Sequence, residues 1–387
     1  MKIQYLFSSP DGDITLTSED LARPFLITPT TSHPFLTLGN YFGSIEAFLL
    51  KDPAKPLHSI LKERFNKQTD INRIQKILIR SEKHGALYHP ASIEVMVEGK
   101  QLKIAVSTAV SEKGKLWLTR EYEILKHLNR SYKLPYLPNI YTKGEVECKA
   151  VDQKNETLVM ILAEWFEGYH EWHLSIDETD RSRKICIWDL ENGNRYASEQ
   201  ETFEIFRQAS KILTFYYDTN SFNQIYPWHH AAGDFIVGIR NGRVDVKLTT
   251  ARRYESIMGS FSEDTVNPII AIVYFFLNLT VRMQLDKLDG VGKTVWAGDF
   301  SAGAATAGFF EALMTLETED RYNLGKVEDL LSLLQSFSEE ELEGLFQSLL
   351  ILYQKDDPED LAVIQENLGG HINLLYQTLR DFRLNLS

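Results

Sequence analysis

Three consecutive stretches of alternating apolar and polar residues decide the fold class: residues 76–83 read KILIRSEK, residues 92–99 read SIEVMVEG, and residues 101–110 read QLKIAVSTAV. Alternation with a period of two places every second side chain on the same face of a strand. Turn signals separate the stretches, at His84-Gly85 and at Glu98-Gly99-Lys100. The pattern therefore predicts an antiparallel meander of about three strands.

A helix and two further strands follow the meander. Thr119 precedes the helical pattern REYEILKHLNR of residues 120–130 and is the expected N-cap, and Pro135 ends the pattern. Residues 141–151 (YTKGEVECKAV) and 157–166 (TLVMILAEWF) then read as strands. The sequence thus predicts a sheet of about five strands with one helix inserted after the third.

The remainder of the chain is predicted to be mainly helical. Ser198 and Glu201 form a capping box for a long amphipathic helix, which leads to a hairpin with a two-residue Asn241-Gly242 turn. From about residue 264 we expect helices throughout, with a second capping box at Ser338 and Glu341.

The first 70 residues hold half of the 12 prolines, which predicts an irregular stretch of short strands and turns. The fold class is therefore α+β, in three parts. Residues 1–74 are expected to form an N-terminal extension, residues 75–173 a small antiparallel sheet with one helix, and residues 174–387 a mostly helical part containing a hairpin at 226–254.

Charge and composition narrow the class of partner. The formal charge is −13, and 16 acidic against five basic residues lie between Glu311 and Ser387. An acidic chain of this kind disfavours broad binding to nucleic acid or to anionic lipid. Two cysteines with no His/Cys cluster indicate neither a disulfide framework nor a structural zinc site.

Targeting signals are also missing from the sequence. The start, MKIQYLFSSPDGD, has no secretory pattern. The most apolar run, Pro268–Met283, is shorter than the roughly 20 residues that a membrane span needs. We expect a cytoplasmic protein with no membrane partner and a buried core helix in this run.

The predicted order of elements resembles that of the kinase-like fold of protein kinases and aminoglycoside phosphotransferases. The resemblance covers roughly residues 75–255. It implies a two-lobed α+β protein with a small antiparallel-sheet lobe and a mostly helical lobe. It also implies ATP and Mg as cofactors and a nucleotide or other phosphorylated ligand in the cleft between the lobes.

The resemblance assigns roles to two residues in the loop Pro227-Trp228-His229-His230-Ala231-Ala232-Gly233-Asp234. His229 occupies the position of the catalytic base and Asp234 the position of a metal ligand, five residues later. A histidine can accept a proton and an aspartate can hold magnesium.

Three further residues are candidates for cofactor binding: one matches a position of kinase relatives, and two stand in for residues that such relatives have. Glu121 matches the glutamate that pairs with the strand lysine, but Ser107 or Thr108 stands where that lysine is expected. Lys83, in the turn between the first two strands, is the nearest substitute cation. Thr249 or Thr250 stands where a second metal-binding aspartate is expected. The implied protein is an atypical phosphotransferase or a pseudokinase.

Two other functions stay open. The chain could be a non-catalytic interaction module that holds a protein partner. Alternatively, His229, His230 and Asp234 could be the centre of a metal-dependent hydrolase, because imidazole and carboxylate groups suit zinc or iron.

Four other motifs have a structural reading beside the functional one. The segment Glu164–His173 lies where kinase relatives hold adenine, but its aromatic residues also suit packing. Residues 289–294 (DGVGKT) lack the first glycine of a P-loop and read as a turn between helices. The basic group at residues 240–253 could bind phosphate or pair with the acidic C-terminal helices. Glycines 298, 303 and 308 suggest close helix packing.

Overall fold

The computed structural model describes residues 1–9, 12–28, 30–65, 71–83, 85, 87–149, 155–189, 192–228, 233–260, 266–356 and 358–384. These residues form an α+β structure, as predicted. It divides into two compact units, Met1–Glu167 and Gly168–Ser387, so the division falls inside the aromatic segment 164–173.

The first unit is built around one sheet. The strands of this unit are β1 (Lys2–Phe7), β2 (Ile14–Thr15), β3 (Pro24–Thr28), β4 (Thr31–Thr37), β5 (Ile74–Ser81), β6 (His89–Val97), β7 (Lys100–Ala109), β8 (Ile140–Lys149) and β9 (Asn155–Glu164). Strands β3 and β4 form a separate two-stranded sheet. The helices of this unit are α1 (Ser18–Leu21), α2 (Leu38–Phe65) and α3 (Glu112–Tyr132).

The strand order of this sheet is β2-β1-β5-β6-β7-β9-β8. The predicted meander is confirmed as β5, β6 and β7, which pair antiparallel, and the two later strands are confirmed as β8 and β9. The sheet also gains a strand that the sequence did not predict, because β1 pairs parallel with β5. Residues 1–74 thus contribute a strand to the same sheet as the meander.

The irregular structure predicted for the first 70 residues is wrong, because α2 alone runs from Leu38 to Phe65. Its apolar side chains Phe42, Ile45 and Leu49 recur at helical spacing and are buried against the sheet. Burial of such a stripe stabilises a helix more strongly than the proline content of the surrounding segment opposes it.

Helix α3 covers the opposite face of the sheet. Leu118 packs with Val159 and Ile161 of β9, whereas the alternate β9 residues pack with α2. The expected N-cap at Thr119 is wrong, because α3 begins at Glu112 and the Ser111 hydroxyl accepts the backbone N–H of Gly114 at 3.1 Å. Both faces of the sheet are therefore covered by helices.

The described residues of the second unit form a five-stranded sheet, two short strand pairs and several helices. Its strands are β10 (His170–Ile176), β11 (Arg183–Trp188), β12 (Arg195–Tyr196), β13 (Gln224–Ile225), β14 (Phe235–Arg240), β15 (Arg243–Leu248), β16 (Tyr254–Glu255), β17 (Leu285–Lys287) and β18 (Thr294–Trp296). Its helices are α4 (Glu199–Phe215), α5 (Pro268–Arg282), α6 (Phe300–Thr318), α7 (Val327–Ser336), α8 (Glu339–Asp356) and α9 (Pro358–Asp381).

Strands β12-β11-β10-β14-β15 form one sheet in this order, and its β14–β15 hairpin has the predicted two-residue turn. Asn241 and Gly242 both have positive φ, of 52° and 75°, as a tight hairpin turn requires. Both predicted capping boxes are present, at the starts of α4 and α8. The run Pro268–Met283 is confirmed as a buried helix, α5.

Helix α6 crosses α4 at close range. A Cβ on Gly308 would lie 2.0 Å from the carbonyl oxygen of Arg207, so only glycine permits this approach. The same role predicted for Gly303 and Gly298 is wrong. A Cβ on Gly303 would meet only the Phe203 ring at 4.0 Å, and Gly298 lies before the helix with a φ of 126°.

The prediction of helices throughout from residue 264 is also wrong, because β17 and β18 form a hairpin. Residues 288–293 connect the two strands, with Asp289 at a φ of 51° and Gly290 at 74°. The DGVGKT segment is therefore a turn between two short strands rather than between helices. No helix within the described ranges combines the length and the apolar character that a membrane crossing needs.

Candidate functional site

Asp234 is held at the start of the β14–β15 hairpin. Its backbone carbonyl accepts the backbone N–H of Thr249 at 2.7 Å, and the Thr249 hydroxyl donates to the carbonyl of Gly233 at 2.8 Å. Gly233 has a φ of 67°, which is readily adopted only by glycine. These bonds fix Asp234 and Thr249 side by side.

Arg252 binds both carboxylate oxygens of Asp234. Arg252 Nη1 donates to Oδ2 and Nη2 donates to Oδ1, each at 2.7 Å, which is the paired geometry of a guanidinium and a carboxylate. The Asp234 side chain is 1% exposed and that of Arg252 is 23% exposed. The positively charged guanidinium of Arg252 therefore lies where the resemblance implies a metal ion.

This donor set does not fit magnesium. A magnesium ion needs oxygen ligands in octahedral geometry, and both Asp234 oxygens already accept hydrogen bonds from a cation. Thr249 offers a hydroxyl that donates to backbone carbonyls rather than a second carboxylate. Within the part of the chain that the structure describes, no group of three or more His, Cys, Asp or Glu side chains could hold a metal.

His229 and His230, predicted as the base and as members of a metal cluster, lie outside the described residues, as do Ala231 and Ala232. The described chain stops before them at Trp228. The Trp228 ring is buried and packs edge-on against Phe235, the residue after Asp234. Trp228 thus anchors one end of this loop and Asp234 the other.

Glu121, the predicted partner of a lysine, is bonded to a tyrosine. Tyr88 donates its hydroxyl hydrogen to Glu121 Oε2 at 2.5 Å, and the Glu121 side chain is buried. Lys83, the predicted substitute cation, lies two residues beyond β5 with an exposed side chain. Thr108, at the position expected for the strand lysine, is buried in β7. The role of Lys83 as a substitute for the strand lysine stays a prediction.

The aromatic segment is engaged in packing within each unit. In the first unit, Lys103 Nζ lies 4.3 Å from the centroid of the Trp165 ring. In the second unit, His173 is buried edge-on to Trp188, and Tyr169 donates to Asp245 Oδ2 at 2.5 Å. Burial and the neighbouring carboxylate both raise the pKa of Tyr169 above its usual value. These contacts support the packing interpretation of the segment.

Three cations of the basic group at residues 240–253 form ion pairs with nearby acidic residues. Besides the Arg252–Asp234 pair, Arg253 lies 3.6 Å from Glu255 and Lys247 lies 3.3 Å from Asp245. The acids in these three pairs lie on the β14–β15 hairpin or beside it, whereas pairing of the group with the acidic C-terminal helices stays a prediction. The hairpin and the segments on either side of it supply these acids.

A second buried ion pair was not predicted. Arg282, fully buried at the end of α5, donates to Asp360 of α9 at 2.9 Å and to the Trp228 carbonyl at 3.3 Å. The Thr294 hydroxyl donates to the other Asp360 oxygen at 3.1 Å. The signal was available, because an arginine inside the most apolar helix of the chain requires a buried acceptor.

No protein-family model matches this chain, and no curated protein matches it. Among solved structures, the chain is similar to one described as a complex of Neurospora crassa PAN2 (WD40-CS1) with PAN3 (pseudokinase and C-term). The two chains share 12% sequence identity over 87% of this chain and 79% of the other, with a TM-score of 0.26. At that TM-score the likeness carries no argument about fold or function.

Proposed function

We propose that this chain is a non-catalytic protein of kinase-like fold, a pseudokinase, which acts by binding rather than by phosphoryl transfer. The observation that carries the proposal is the Arg252–Asp234 pair. Asp234 is the residue that transfer would need as a metal ligand, and both of its oxygens are bonded to a fixed cation of the protein itself.

Two further positions support the same proposal. Glu121 accepts a hydrogen bond from Tyr88, a neutral phenol, where an active kinase relative has a lysine ammonium. Thr249 supplies a hydroxyl where such a relative has a carboxylate. Phosphoryl transfer relies on positioned cations around the phosphates, so the loss of a lysine and a metal anchor together removes most of its electrostatic stabilisation.

The kinase-like part of the proposal rests on the order of elements. In the first unit, β5, β6, β7, β9 and β8 lie side by side in that order, with α3 between β7 and β8 along the chain. In the second unit, the β14–β15 hairpin follows a long helix, α4. This order agrees with the one from which the resemblance was drawn, and the two-lobed arrangement is part of the proposal.

The ligand and partner remain predictions within this proposal. We propose that the chain binds a protein partner, and that any nucleotide or phosphorylated small molecule binds without help from magnesium at Asp234. A cytoplasmic location also stays a prediction. The metal-dependent hydrolase depends on His229 and His230, which lie outside the described residues, and no described contact favours it.

The melting temperature of the full chain, measured with ATP in the presence and absence of magnesium, tests the proposal. A ligand at 100 times its Kd adds about 2.7 kcal/mol to the free energy of unfolding, which gives a readily measured shift. We expect the same melting temperature with ATP whether or not magnesium is present. A rise that requires both ATP and magnesium, and that Asp234→Asn removes, contradicts the proposal.

A further inference from the structure

Two lysines of the first unit converge on one tyrosine. Lys126 Nζ lies 5.2 Å from the centroid of the Tyr122 ring, one turn earlier in α3, and Lys143 Nζ of β8 lies 5.7 Å from the same centroid. All three side chains are half-buried. We propose that Lys126, Lys143 and the Tyr122 hydroxyl form a binding site for a phosphate group.

The first argument is the uncompensated charge. Within the described ranges, neither lysine has a carboxylate within 4.0 Å of its nitrogen, although Glu123 and Glu145 lie close to them in sequence. Several other described lysines of this acidic chain do have such a partner, namely Lys103, Lys115, Lys184, Lys211, Lys247, Lys287 and Lys326, whereas the half-buried Lys76 does not. Both ammonium groups lie near the same ring centroid, and a bound anion places an opposite charge beside them.

The second argument is the direction of the hydrogen bonds. Lys126 Nζ donates to the Tyr122 hydroxyl oxygen at 3.4 Å, so the hydroxyl hydrogen remains available to donate elsewhere. The site therefore presents two ammonium groups and one hydroxyl as donors. Phosphate carries nearly two negative charges at neutral pH and several acceptor oxygens, which matches this set better than a singly charged carboxylate does.

The fold makes the site rigid. Lys126 and Tyr122 lie on successive turns of α3, and Lys143 lies on a strand paired along its length with β9. The body of Tyr122 packs against the small core formed by α3, β7 and β9. The helix and the strand fix the backbone of these residues, so binding has to order only the side chains. The site lies in the first unit and does not depend on the proposed function.

Calorimetric titration of the full chain with inorganic phosphate tests the site, with acetate at equal ionic strength as the singly charged control ion. We expect saturable binding of phosphate, weaker binding of acetate, and roughly a tenfold loss of phosphate affinity for Lys126→Gln or Lys143→Gln, as for a lost hydrogen bond to a charged group. The substitution Tyr122→Phe keeps the ring and removes the third donor, and we expect it to lower the affinity as well.

A matched control comes from the same two elements. Lys113 of α3 and Lys149 of β8 are exposed, so the double substitution Lys113→Gln and Lys149→Gln changes the net charge by the same amount as Lys126→Gln with Lys143→Gln. We expect phosphate binding to persist in the control and to vanish in the second double variant. Equal loss in both, or no saturable binding by the unaltered chain, overturns the proposal.

Phenyl phosphate in a parallel titration distinguishes the source of the phosphate group. Binding of phenyl phosphate that Lys126→Gln weakens assigns the site to phosphate esters. Binding of inorganic phosphate alone assigns it to the free ion. Either result supports the site, and binding of neither compound refutes it.

Discussion

Breaking the Arg252–Asp234 pair should destabilise the second unit strongly, because the break leaves a buried charge without its counter-ion. The Asp234 carboxylate is 1% exposed, so water cannot replace the guanidinium, whereas Arg252 is 23% exposed. Loss of one partner of a buried pair costs 3–5 kcal/mol, and the partial exposure of Arg252 favours the lower end, about 3 kcal/mol for Arg252→Gln. Asp234→Asn removes the charge itself and should cost less, about 2 kcal/mol.

A double-mutant cycle measures the interaction energy between Arg252 and Asp234 separately from the other effects of each substitution. Urea unfolding of the unaltered chain, both single variants and the double variant should give a coupling energy of about 2 kcal/mol. The exposed pair Arg73–Glu98, with side chains 64% and 48% exposed, is the control, and its coupling should be below about 0.5 kcal/mol. Equal coupling in the two cycles refutes the reasoning that Asp234 is a buried carboxylate held by Arg252.

Three other perturbations test the account. Gly308→Ala places a Cβ 2.0 Å from the Arg207 carbonyl oxygen and should lower the melting temperature sharply. Gly303→Ala on the same helix should raise it, since alanine in an open helical position adds up to about 1 kcal/mol to the free energy of unfolding. Similar effects of the two substitutions would contradict the close crossing of α4 and α6. Burial lowers the pKa of His371 to about 3. Below about pH 6.5 the unfolded chain therefore binds a proton at His371 that the folded chain does not bind. Between pH 7 and pH 5, the free energy of unfolding should fall by roughly 2 kcal/mol more in the unaltered chain than in His371→Gln. Parallel pH profiles for the two chains would show that His371 titrates normally. Finally, Ser198→Ala should cost about 1 kcal/mol by removing the cap of α4, and no change in urea midpoint would argue against that capping box.

The strands of the first unit could be predicted because their alternation is strong and local. Every second residue of the meander is apolar, and the turns between the strands carry glycine. The parallel pairing of β1 with β5 could not be predicted from the sequence, because it joins segments about 70 residues apart and depends on tertiary contacts. Helix α2 could not be predicted from the proline content of the first 70 residues, because burial of its apolar stripe against the sheet stabilises it.

The candidate site could be predicted in part. The resemblance to the kinase-like fold singled out Asp234, Glu121 and Thr249, and the sequence singled out Arg252 only as one of several cations. It could not show that Arg252 binds Asp234, because residues 18 positions apart meet only after the hairpin folds. The hydrogen bond from Tyr88 to Glu121 could not be predicted either, because a contact between a loop and a helix produces no periodic pattern in the sequence.

Turnover of ATP labelled at its γ-phosphate is the most direct test of the central claim that the chain is non-catalytic. The assay uses the full chain, with and without magnesium or manganese, and follows release of the label to water and transfer to protein. We predict no metal-dependent release or transfer above that of a heat-denatured sample. Metal-dependent turnover that Asp234→Asn abolishes, in a variant that still melts cooperatively, would contradict the account.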